Sequence, residues 1–337
     1  MEVDNLALNL DEIVKEFPEN PLEYFRDKKL CAFNACLETY YPGIRFGIQD
    51  LLTDLKFDVP TCTKQSCCSG TFFQRNLITR AQFAAINERN LNEMNQQADI
   101  VLLPCNGCYN SLLRGRDLLK SKEVRIKTQE ILNNLKEKYK EDTYPGKYEI
   151  LEKPNLRLVH DLDFLYLIRN DVLNSLKFDL QGLKVAVHYG CHYLNLSRDK
   201  KTPEGLLKNK TKLEDLITLF GGEPVDYQER ELCCGWGASQ RIINLPESLY
   251  ITYKKLKSVQ YAEADFILTP CPTCLYTLEK PEYRKGIANL YHEHFDIPVI
   301  HLNELLAMLR GCEEERCMTL KRKTPRLEGI FDIITRE

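Results

Sequence analysis

The sequence predicts an α/β fold made of two tandem, internally duplicated domains, each with a short parallel sheet and with cysteine loops at its strand ends. Three observations predict it: a length of 337 residues, four cysteines that recur at one constant spacing, and short apolar runs that alternate with helical patterns. A chain of this length is typical of about two domains, each large enough to bury a core without covalent crosslinks.

The duplication is carried by cysteines that recur after 166 residues. They are Cys67, Cys68, Cys105 and Cys108, followed by Cys233, Cys234, Cys271 and Cys274. The sequence before each second pair is repeated as well, since Ala-Asp-Ile-Val-Leu-Leu-Pro at 98–104 returns as Ala-Asp-Phe-Ile-Leu-Thr-Pro at 264–270. A constant spacing combined with repeated sequence indicates an internal duplication.

Each half is also expected to hold one cysteine upstream of its adjacent pair. In the second half this is Cys191, and in the first half the choice is between Cys31 and Cys36. Cys36 is favoured because it closes a segment similar to the one before Cys191. The spacing between Cys36 and Cys191 is shorter than 166 residues, which predicts an insertion at 197–210 in the second half. A second difference, in the spacing of the repeated segments after Cys108, predicts extra helical residues at 114–139 in the first half.

The secondary structure of the repeating unit follows from its periodicity. An apolar spacing of i, i+4, i+7 and i+8 predicts an amphipathic helix after Pro42. Short apolar runs bounded by proline, glycine or a cysteine motif predict buried strands at 101–103, 185–187, 267–268 and 299–300. Strand, cysteine loop and helix therefore repeat, and ligands of such sheets collect at the carboxyl ends of the strands.

The predicted organisation has four parts. They are an N-terminal extension at 1–27, a first domain at 28–178, a second domain at 179–311 and a C-terminal tail at 312–337.

Composition narrows the class of protein and the role of its 14 cysteines. The net charge of −3 argues against a nucleic-acid binder, which needs a basic surface, and no apolar run is long enough for a membrane span. The acidic N-terminus lacks the features of a secretory signal, which predicts a cytoplasmic protein. Because disulfides are rare there, a disulfide framework is not expected, and metal binding is the first candidate.

Five cysteines in each half favour a multi-iron cluster. A structural zinc ion and a cubane 4Fe-4S cluster each take four protein ligands, and two adjacent cysteines are poorly placed to bind one ion. A cluster with several metal centres, or with a shared thiolate, fits five better. Structural zinc with a spare buried cysteine and free buried thiols remain alternatives.

The cysteine motifs resemble those of the CCG-domain iron-sulfur family, and within it those of the B-type subunit of CoB-CoM heterodisulfide reductase. The first half carries Cys36 with Tyr-Pro-Gly at 41–43, then Cys67-Cys68 and Cys105-Asn-Gly-Cys108. The second half carries His-Tyr-Gly-Cys-His at 188–192, Cys-Cys-Gly at 233–235, Cys-Pro-Thr-Cys at 271–274 and Ile-Pro-Val-Ile-His-Leu at 297–302. The resemblance extends over about residues 28–310, and Ala35, Ser69 and Thr273 depart from the usual pattern.

The resemblance implies two noncubane 4Fe-4S clusters that face one another across a substrate disulfide. The first would be ligated by Cys36, Cys67, Cys68, Cys105 and Cys108, and the second by Cys191, Cys233, Cys234, Cys271 and Cys274. The implied activity is the reduction of CoM-S-S-CoB, or of a related small-molecule disulfide, to two thiols by the catalytic subunit of a complex. The alternative is an electron-transfer subunit of a thiol:fumarate reductase, succinate dehydrogenase or 2-hydroxy-acid oxidation complex.

The resemblance also implies partner subunits. The chain has no Cys-x2-Cys-x2-Cys-x3-Cys-Pro run for a cubane cluster and no Gly-x-Gly-x-x-Gly fingerprint for a flavin or nicotinamide. Electrons would therefore come from a ferredoxin-like subunit of the C type and a flavoprotein subunit of the A type.

Four of the six histidines and four further cysteines are considered next. His192, next to Cys191, is the candidate for proton delivery or for hydrogen bonding to cluster sulfur, with a packing role as the alternative. His160 and His301 occupy repeated positions at strand ends, which favours a structural role, and His188 is expected to be a core residue with satisfied hydrogen bonds. The cysteines without a ligand role are Cys31, Cys62, Cys312 and Cys317.

Overall fold

Two parallel sheets, one in each half of the chain, form the frame of the protein in a computed structural model. The structure describes residues 6–138, 148–198, 211–236, 240–312 and 325–335. The first sheet has the order β1-β2-β3 and the second β5-β4-β6-β7, with all neighbours parallel. The strands are β1 (Leu30–Ala32), β2 (Ile100–Leu103), β3 (Arg157–His160), β4 (Lys184–Val187), β5 (Glu223–Val225), β6 (Phe266–Thr269) and β7 (Val299–His301).

Helices cover the sheets and follow the strands. In the first half they are α1 (Leu10–Glu16), α2 (Glu23–Arg26), α3 (Pro42–Asp54), α4 (Gly70–Gln74), α5 (Arg80–Asn95), α6 (Asn106–Leu118), α7 (Lys122–Lys138), α8 (Asp161–Leu167) and α9 (Arg169–Ser175). In the second half they are α10 (Cys191–Arg198), α11 (Lys212–Leu219), α12 (Gln240–Ile243), α13 (Leu245–Tyr261), α14 (Pro272–Glu279), α15 (Pro281–Tyr291), α16 (Leu302–Leu309) and α17 (Pro325–Ile334).

The duplication is visible in matching hydrogen bonds of the two sheets. Asp99 accepts a hydrogen bond from the backbone N–H of Lys29 at 2.8 Å, and Asp265 accepts one from Lys184 at the same distance. Each aspartate thus ties the start of one strand to its neighbour. The fold class predicted from the sequence, tandem units with short parallel sheets, is confirmed.

The predicted elements form because their apolar positions are buried. All four residues of β2 and all four of β6 are buried, as expected of parallel strands covered on both faces. In α3, Ile44, Ile48 and Leu51 face the core, and Pro42 starts the helix, where its missing N–H is not needed. The extra helical residues predicted at 114–139 are present as the end of α6 and the whole of α7.

The two halves are joined where α3 packs against α16. A Cβ atom built on Gly47 would lie 1.9 Å from the backbone oxygen of Asn303, so only glycine allows this close approach. Arg310, at the end of α16, donates hydrogen bonds to Asp50 and Asp54 of α3. The contact therefore ties the two halves together.

The terminal segments pack on this frame. Leu8 donates a backbone hydrogen bond to Leu158 of β3, and the side chains of Leu6, Ile13 and Phe25 are buried. In α17, the side chains of residues 327, 330 and 334 are buried. The predicted insertion at 197–210 falls almost wholly outside the described residues. Within the described ranges, no helix has the length and apolar character needed to cross a membrane.

Candidate functional site: a cysteine-lined cavity between the halves

All ten cysteines predicted as ligands line one cavity of about 270 Å³ between the two halves. Cys36 lies in a short 3-10 helix after β1, and Cys191 begins α10 after β4. Cys105 and Cys271 are the N-cap residues that link β2 to α6 and β6 to α14, with Cys108 and Cys274 one turn into those helices. The adjacent pairs, 67–68 and 233–234, enter on loops.

The burial of the sulfurs follows the same order in both sets. The first two cysteines of each set are the more accessible ones: Cys36 and Cys67 are exposed, and Cys191 and Cys233 are partly exposed. The other three of each set are buried: Cys68, Cys105 and Cys108 in the first, and Cys234, Cys271 and Cys274 in the second. The cavity is therefore reached from the side of the first two cysteines of each set.

Within each set the thiols contact one another, which shifts their acidity in opposite directions. Hydrogen bonding to Cys67, together with burial, raises the pKa of Cys36 well above its ordinary value. The same hydrogen bond lowers the pKa of Cys67 to about 2. In the second set, hydrogen bonding to Cys233, together with burial, raises the pKa of Cys191. Only a few of these neighbouring thiols can be ionised at the same time unless a positive charge is bound among them.

The two sets touch through Cys105 and Cys271. The side chain of Cys105 is the largest cause of the lowered pKa of Cys271. A second bridge is Asn106, whose side-chain amide donates to the backbone oxygen of Tyr189 at 2.6 Å. Tyr189 lies just before Cys191, so Asn106 ties the first set to the loop that carries the second.

His192, the predicted proton donor or hydrogen-bonding residue, lines the same cavity. Its Nε2 atom lies 2.6 Å from the side-chain nitrogen of Gln74 in α4 of the first half. Gly107 lies between the halves at this point: a Cβ built on it would be 3.6 Å from both His192 Nδ1 and Cys105 Sγ. Burial lowers the pKa of His192. The imidazole therefore spans from the second half to the first, with its Nδ1 atom beside Gly107.

The expectation that His188 lies in the core is confirmed, but the expectation that its hydrogen bonds are satisfied is wrong. The residue is buried, with 1% of its surface exposed, but neither ring nitrogen has a hydrogen-bond partner among the described residues. A ring nitrogen lies within 4.8 Å of the sulfurs of Cys234 and Cys274, which makes these three residues a possible metal-binding group. The ring therefore faces the cysteines.

His160 and His301 lie at equivalent helix starts, as their repeated positions predicted. His160 Nδ1 accepts the backbone N–H of Leu162 at 3.2 Å, and His301 Nδ1 accepts that of Asn303 at 3.1 Å. His301 Nε2 also lies 3.1 Å from the backbone oxygen of Pro104, next to Cys105 in the other half. Both histidines therefore cap helices, and His301 adds a link between the halves.

Of the four remaining cysteines, two form a disulfide. Cys31 and Cys62 are both buried, and their sulfurs are bonded across a Cα separation of 5.6 Å. They meet because the backbone N–H of Cys62 donates to the oxygen of Ala32 in β1 at 2.9 Å. Cys312 Sγ lies 3.4 Å from a carboxylate oxygen of Asp50, away from the cavity, and Cys317 is outside the described residues.

The donor set of the cavity suits an iron-sulfur centre. Ten thiol sulfurs surround it, and thiolates select soft metals, zinc and iron-sulfur clusters over hard cations. The crowding of buried thiols, which opposes their simultaneous ionisation, would be relieved by bound iron because coordination deprotonates a thiol. The residues present therefore fit the cofactor that the sequence motifs imply.

The duplicated parallel sheets and their shared cysteine-lined cavity define a class of tandem cysteine-rich α/β proteins. The chain belongs to the CCG family, because the model of the CCG cysteine-rich domain matches residues 30–113 and again residues 185–279. The two matches coincide with the two sets of motifs that the sequence spacing identified.

Two known proteins that resemble the chain are subunits of reductases. It is 28% identical over 286 residues to the B-type subunit of the ferredoxin/F420H2-dependent CoB-CoM heterodisulfide reductase of Methanosarcina acetivorans, covering 84% of this chain and 89% of the relative. It is 25% identical over 250 residues to the 8-methylmenaquinol:fumarate reductase membrane anchor subunit of Wolinella succinogenes, covering 73% and 79%. These relatives support an oxidoreductase subunit of the CCG iron-sulfur type.

A solved structure supports the fold alone. The chain superposes on the crystal structure of a hypothetical protein from Helicobacter pylori with a TM-score of 0.60 and 13% sequence identity. The superposition covers 88% of this chain and 52% of the other.

Sequence reasoning missed Asn106 and Gln74 as residues of the site. Asn106 stands inside the Cys105-x-x-Cys108 motif, and its position between two predicted ligands was a signal that could have identified it. Gln74 has no such signal, because its contact with His192 joins residues 118 positions apart.

Proposed function

We propose that the chain is the catalytic subunit of a heterodisulfide reductase complex and reduces CoM-S-S-CoB, or a related disulfide, to two thiols. Two noncubane 4Fe-4S clusters, each held by one set of five cysteines, would form its active site. The observation that carries the proposal is that both complete sets line one cavity and touch through Cys105 and Cys271. The similarity to a relative named as a heterodisulfide reductase subunit of the B type supports the substrate class.

The reaction consumes two electrons and two protons: R-S-S-R′ + 2 e⁻ + 2 H⁺ gives R-SH and R′-SH. When bound, the clusters supply single electrons and iron that binds thiolate sulfur, so each half can take one sulfur of the cleaved bond. The residues of the chain contribute by the positions that they give to the cysteines. The accessible cysteines of both sets, Cys36 and Cys67 on one side and Cys191 and Cys233 on the other, line the cavity through which a disulfide would enter.

His192, which lines the cavity, would hold a proton for the cleaved bond. With the amide nitrogen of Gln74 donating to Nε2, the neutral imidazole carries its proton on Nδ1. The Cβ position of Gly107 is equidistant from this Nδ1 atom and Cys105 Sγ, and the absence of a side chain there leaves the path open. Gln74 thereby acts as a positioning residue that fixes the tautomer and orientation of His192.

Electrons must reach the cavity from outside the chain. The sequence carries no cubane-cluster run and no dinucleotide fingerprint, so a ferredoxin-like subunit and a flavoprotein subunit are proposed as the partners that deliver them.

Metal analysis and an anaerobic assay test the proposal together. Anaerobically prepared protein should contain about eight irons per chain, the number expected for two four-iron clusters. With reduced viologen as donor it should convert CoM-S-S-CoB to two free thiols. Cys312→Ser, which lies outside the cavity, serves as the control and should retain iron and activity, whereas Cys105→Ser should lose both. Zinc in place of iron would refute the cluster assignment.

A second candidate is an electron-transfer subunit that relays charge to a partner's active site. It is favoured by the similarity to a relative named as a fumarate reductase subunit. The same assay separates the two candidates: protein with full iron content that reduces no disulfide, alone or in its complex, would refute the catalytic role and leave electron transfer.

A further inference from the structure

His188 is a buried polar residue whose hydrogen bonds the protein itself does not satisfy. It lies just after β4, three residues before Cys191, and is 1% exposed. Neither Nδ1 nor Nε2 has a partner among the residues that the structure describes. Buried polar groups are nearly always hydrogen-bonded, because leaving one unpaired costs free energy. An imidazole in this state indicates a partner that binds beside it.

The ring faces the second set of cysteines. One ring nitrogen and the sulfurs of Cys234 and Cys274 all lie within 4.8 Å of one another. These two sulfurs are also hydrogen-bonded to each other. An imidazole carries at least one N–H in every tautomer and protonation state, and a thiolate sulfur accepts hydrogen bonds. His188 can therefore donate to the second set once its thiols are ionised.

The first half has no such donor at the equivalent position. Its counterpart is Phe33: the backbone N–H of Phe33 donates to Leu102 at 2.8 Å, just as that of His188 donates to Leu268 at 2.8 Å. Phe33 is also buried, with 1% of its surface exposed. At this position the first half thus has a hydrocarbon ring, and the second half has an N–H donor.

One pair of cations near the two sets does not produce this difference. A buried cation, Lys255, donates to the backbone oxygen of Arg230 at 3.3 Å in the second half. In the first half Arg89 makes the equivalent contact to the oxygen of Lys64 at 2.8 Å. Both halves therefore carry a cation at this position. His188 against Phe33, like His192 against Leu37, instead places an N–H donor in the second half only.

We propose that His188 donates a hydrogen bond to a cysteine sulfur of the second cluster and thereby makes that cluster easier to reduce than the first. The inference rests on the proposed binding of two clusters. Hydrogen bonds to cluster sulfurs stabilise the more negative, reduced state, and they are among the factors that set the reduction potential. Electrons delivered to the chain would therefore reside first on the cluster of the second half.

The test is an anaerobic redox titration of the protein with its clusters, followed by EPR and visible spectroscopy. His188→Phe copies the first half and should lower the midpoint potential of one cluster by about 59 mV, which is a tenfold change in a one-electron equilibrium constant. His188→Gln keeps an N–H donor and should restore most of the shift. Phe33→Leu, the matched control in the first half, should leave the second cluster unchanged.

Each outcome decides the proposal. Two results for His188→Phe overturn it. One is a change of less than about threefold in the one-electron equilibrium constant, converted from the midpoint potential as above. The other is an equal shift of both clusters. Loss of iron in both His188→Phe and His188→Gln also overturns it, because His188 would then be a ligand rather than a donor. A parent protein without iron would instead refute the proposed function, so the two failures are distinguishable.

Discussion

The buried ion pair between Glu88 and Arg116 offers a quantitative test of how the scaffold holds the first cysteine set. Glu88 lies on α5 and Arg116 on α6, and Nη1 of the arginine is 3.1 and 3.0 Å from the two carboxylate oxygens. Their side chains are 0% and 6% exposed. The helix α6 carries Cys108, and Asn87 of α5 donates to the backbone oxygen of Cys68 at 3.3 Å. The pair thus joins two helices that position the set.

Arg116→Met removes the cation and keeps a long apolar stem. Breaking one partner of a buried pair costs about 3–5 kcal/mol, because the other charge stays buried without compensation. The backbone N–H of Leu151 still donates to Glu88 at 3.1 Å, which retains part of the compensation. We therefore expect a loss of about 3 kcal/mol in the free energy of unfolding at neutral pH, at the lower end of that range.

The loss should depend on pH in a defined direction. Burial raises the pKa of Glu88, and Arg116 is the largest influence that lowers it, so the pKa rises further in the variant. A carboxyl whose pKa is higher in the folded than in the unfolded state binds more protons when the protein is folded. The free energy of unfolding therefore falls as the pH rises. The destabilisation of Arg116→Met should therefore be larger at pH 8 than at pH 6.

Urea unfolding under anaerobic conditions, monitored by circular dichroism, measures both effects. The double variant Glu88→Gln with Arg116→Met removes both charges while the amide oxygen still accepts from Leu151. It should be more stable than the single variant and show little difference between the two pH values. A single variant within about 1 kcal/mol of the parent, or one equally destabilised at both pH values, would refute the assignment of a desolvated charge.

Three further predictions concern the frame around the cavity. Gly47→Ala should lower the free energy of unfolding by about 1–3 kcal/mol in urea, because its Cβ would overlap α16, whereas Gly329→Ala, with no atom within 4 Å of the new Cβ, should not. Peptide mapping should recover Cys31 and Cys62 as one crosslinked pair that separates on reduction; their full alkylation without reductant would contradict the disulfide. His301→Ala should cost about 0.5–2 kcal/mol through loss of the α16 cap, with Asn in its place restoring most of it.

The sequence alone predicted those parts of the fold that local pattern determines. The strands at 101–103 and 267–268 were predictable because all their residues are apolar and a proline follows each run. A continuous apolar run is what burial on both faces of a sheet requires. The edge strand Glu223–Val225 was not predicted, since it contains a proline and its side chains are only partly buried. Its pairing with β4 depends on tertiary contact rather than on periodicity.

The composition of the candidate site was predictable, but its contacts were not. Constant spacing identified both sets of cysteines, because a duplicated chain repeats its chemistry at fixed intervals. The contacts between the sets, Cys105 with Cys271 and Asn106 with Tyr189, leave no trace in spacing. They arise from the way the halves pack. The approach of His188 to Cys234 and Cys274 lies within the second half, and it leaves no trace in spacing either.

The departure of Ser69 from the usual family pattern can be understood from the backbone. Ser69 adopts a φ of 56° and Gly235 one of 99°, so both take a left-handed conformation directly after an adjacent cysteine pair. In each case the backbone N–H lies 3.4 Å from the sulfur two residues earlier, Cys67 or Cys233. Serine therefore preserves the turn and its N–H···S contact at the cost of some backbone strain. Since this position donates equally to both sets, it does not distinguish the two halves, whereas the exchange of Phe33 for His188 does.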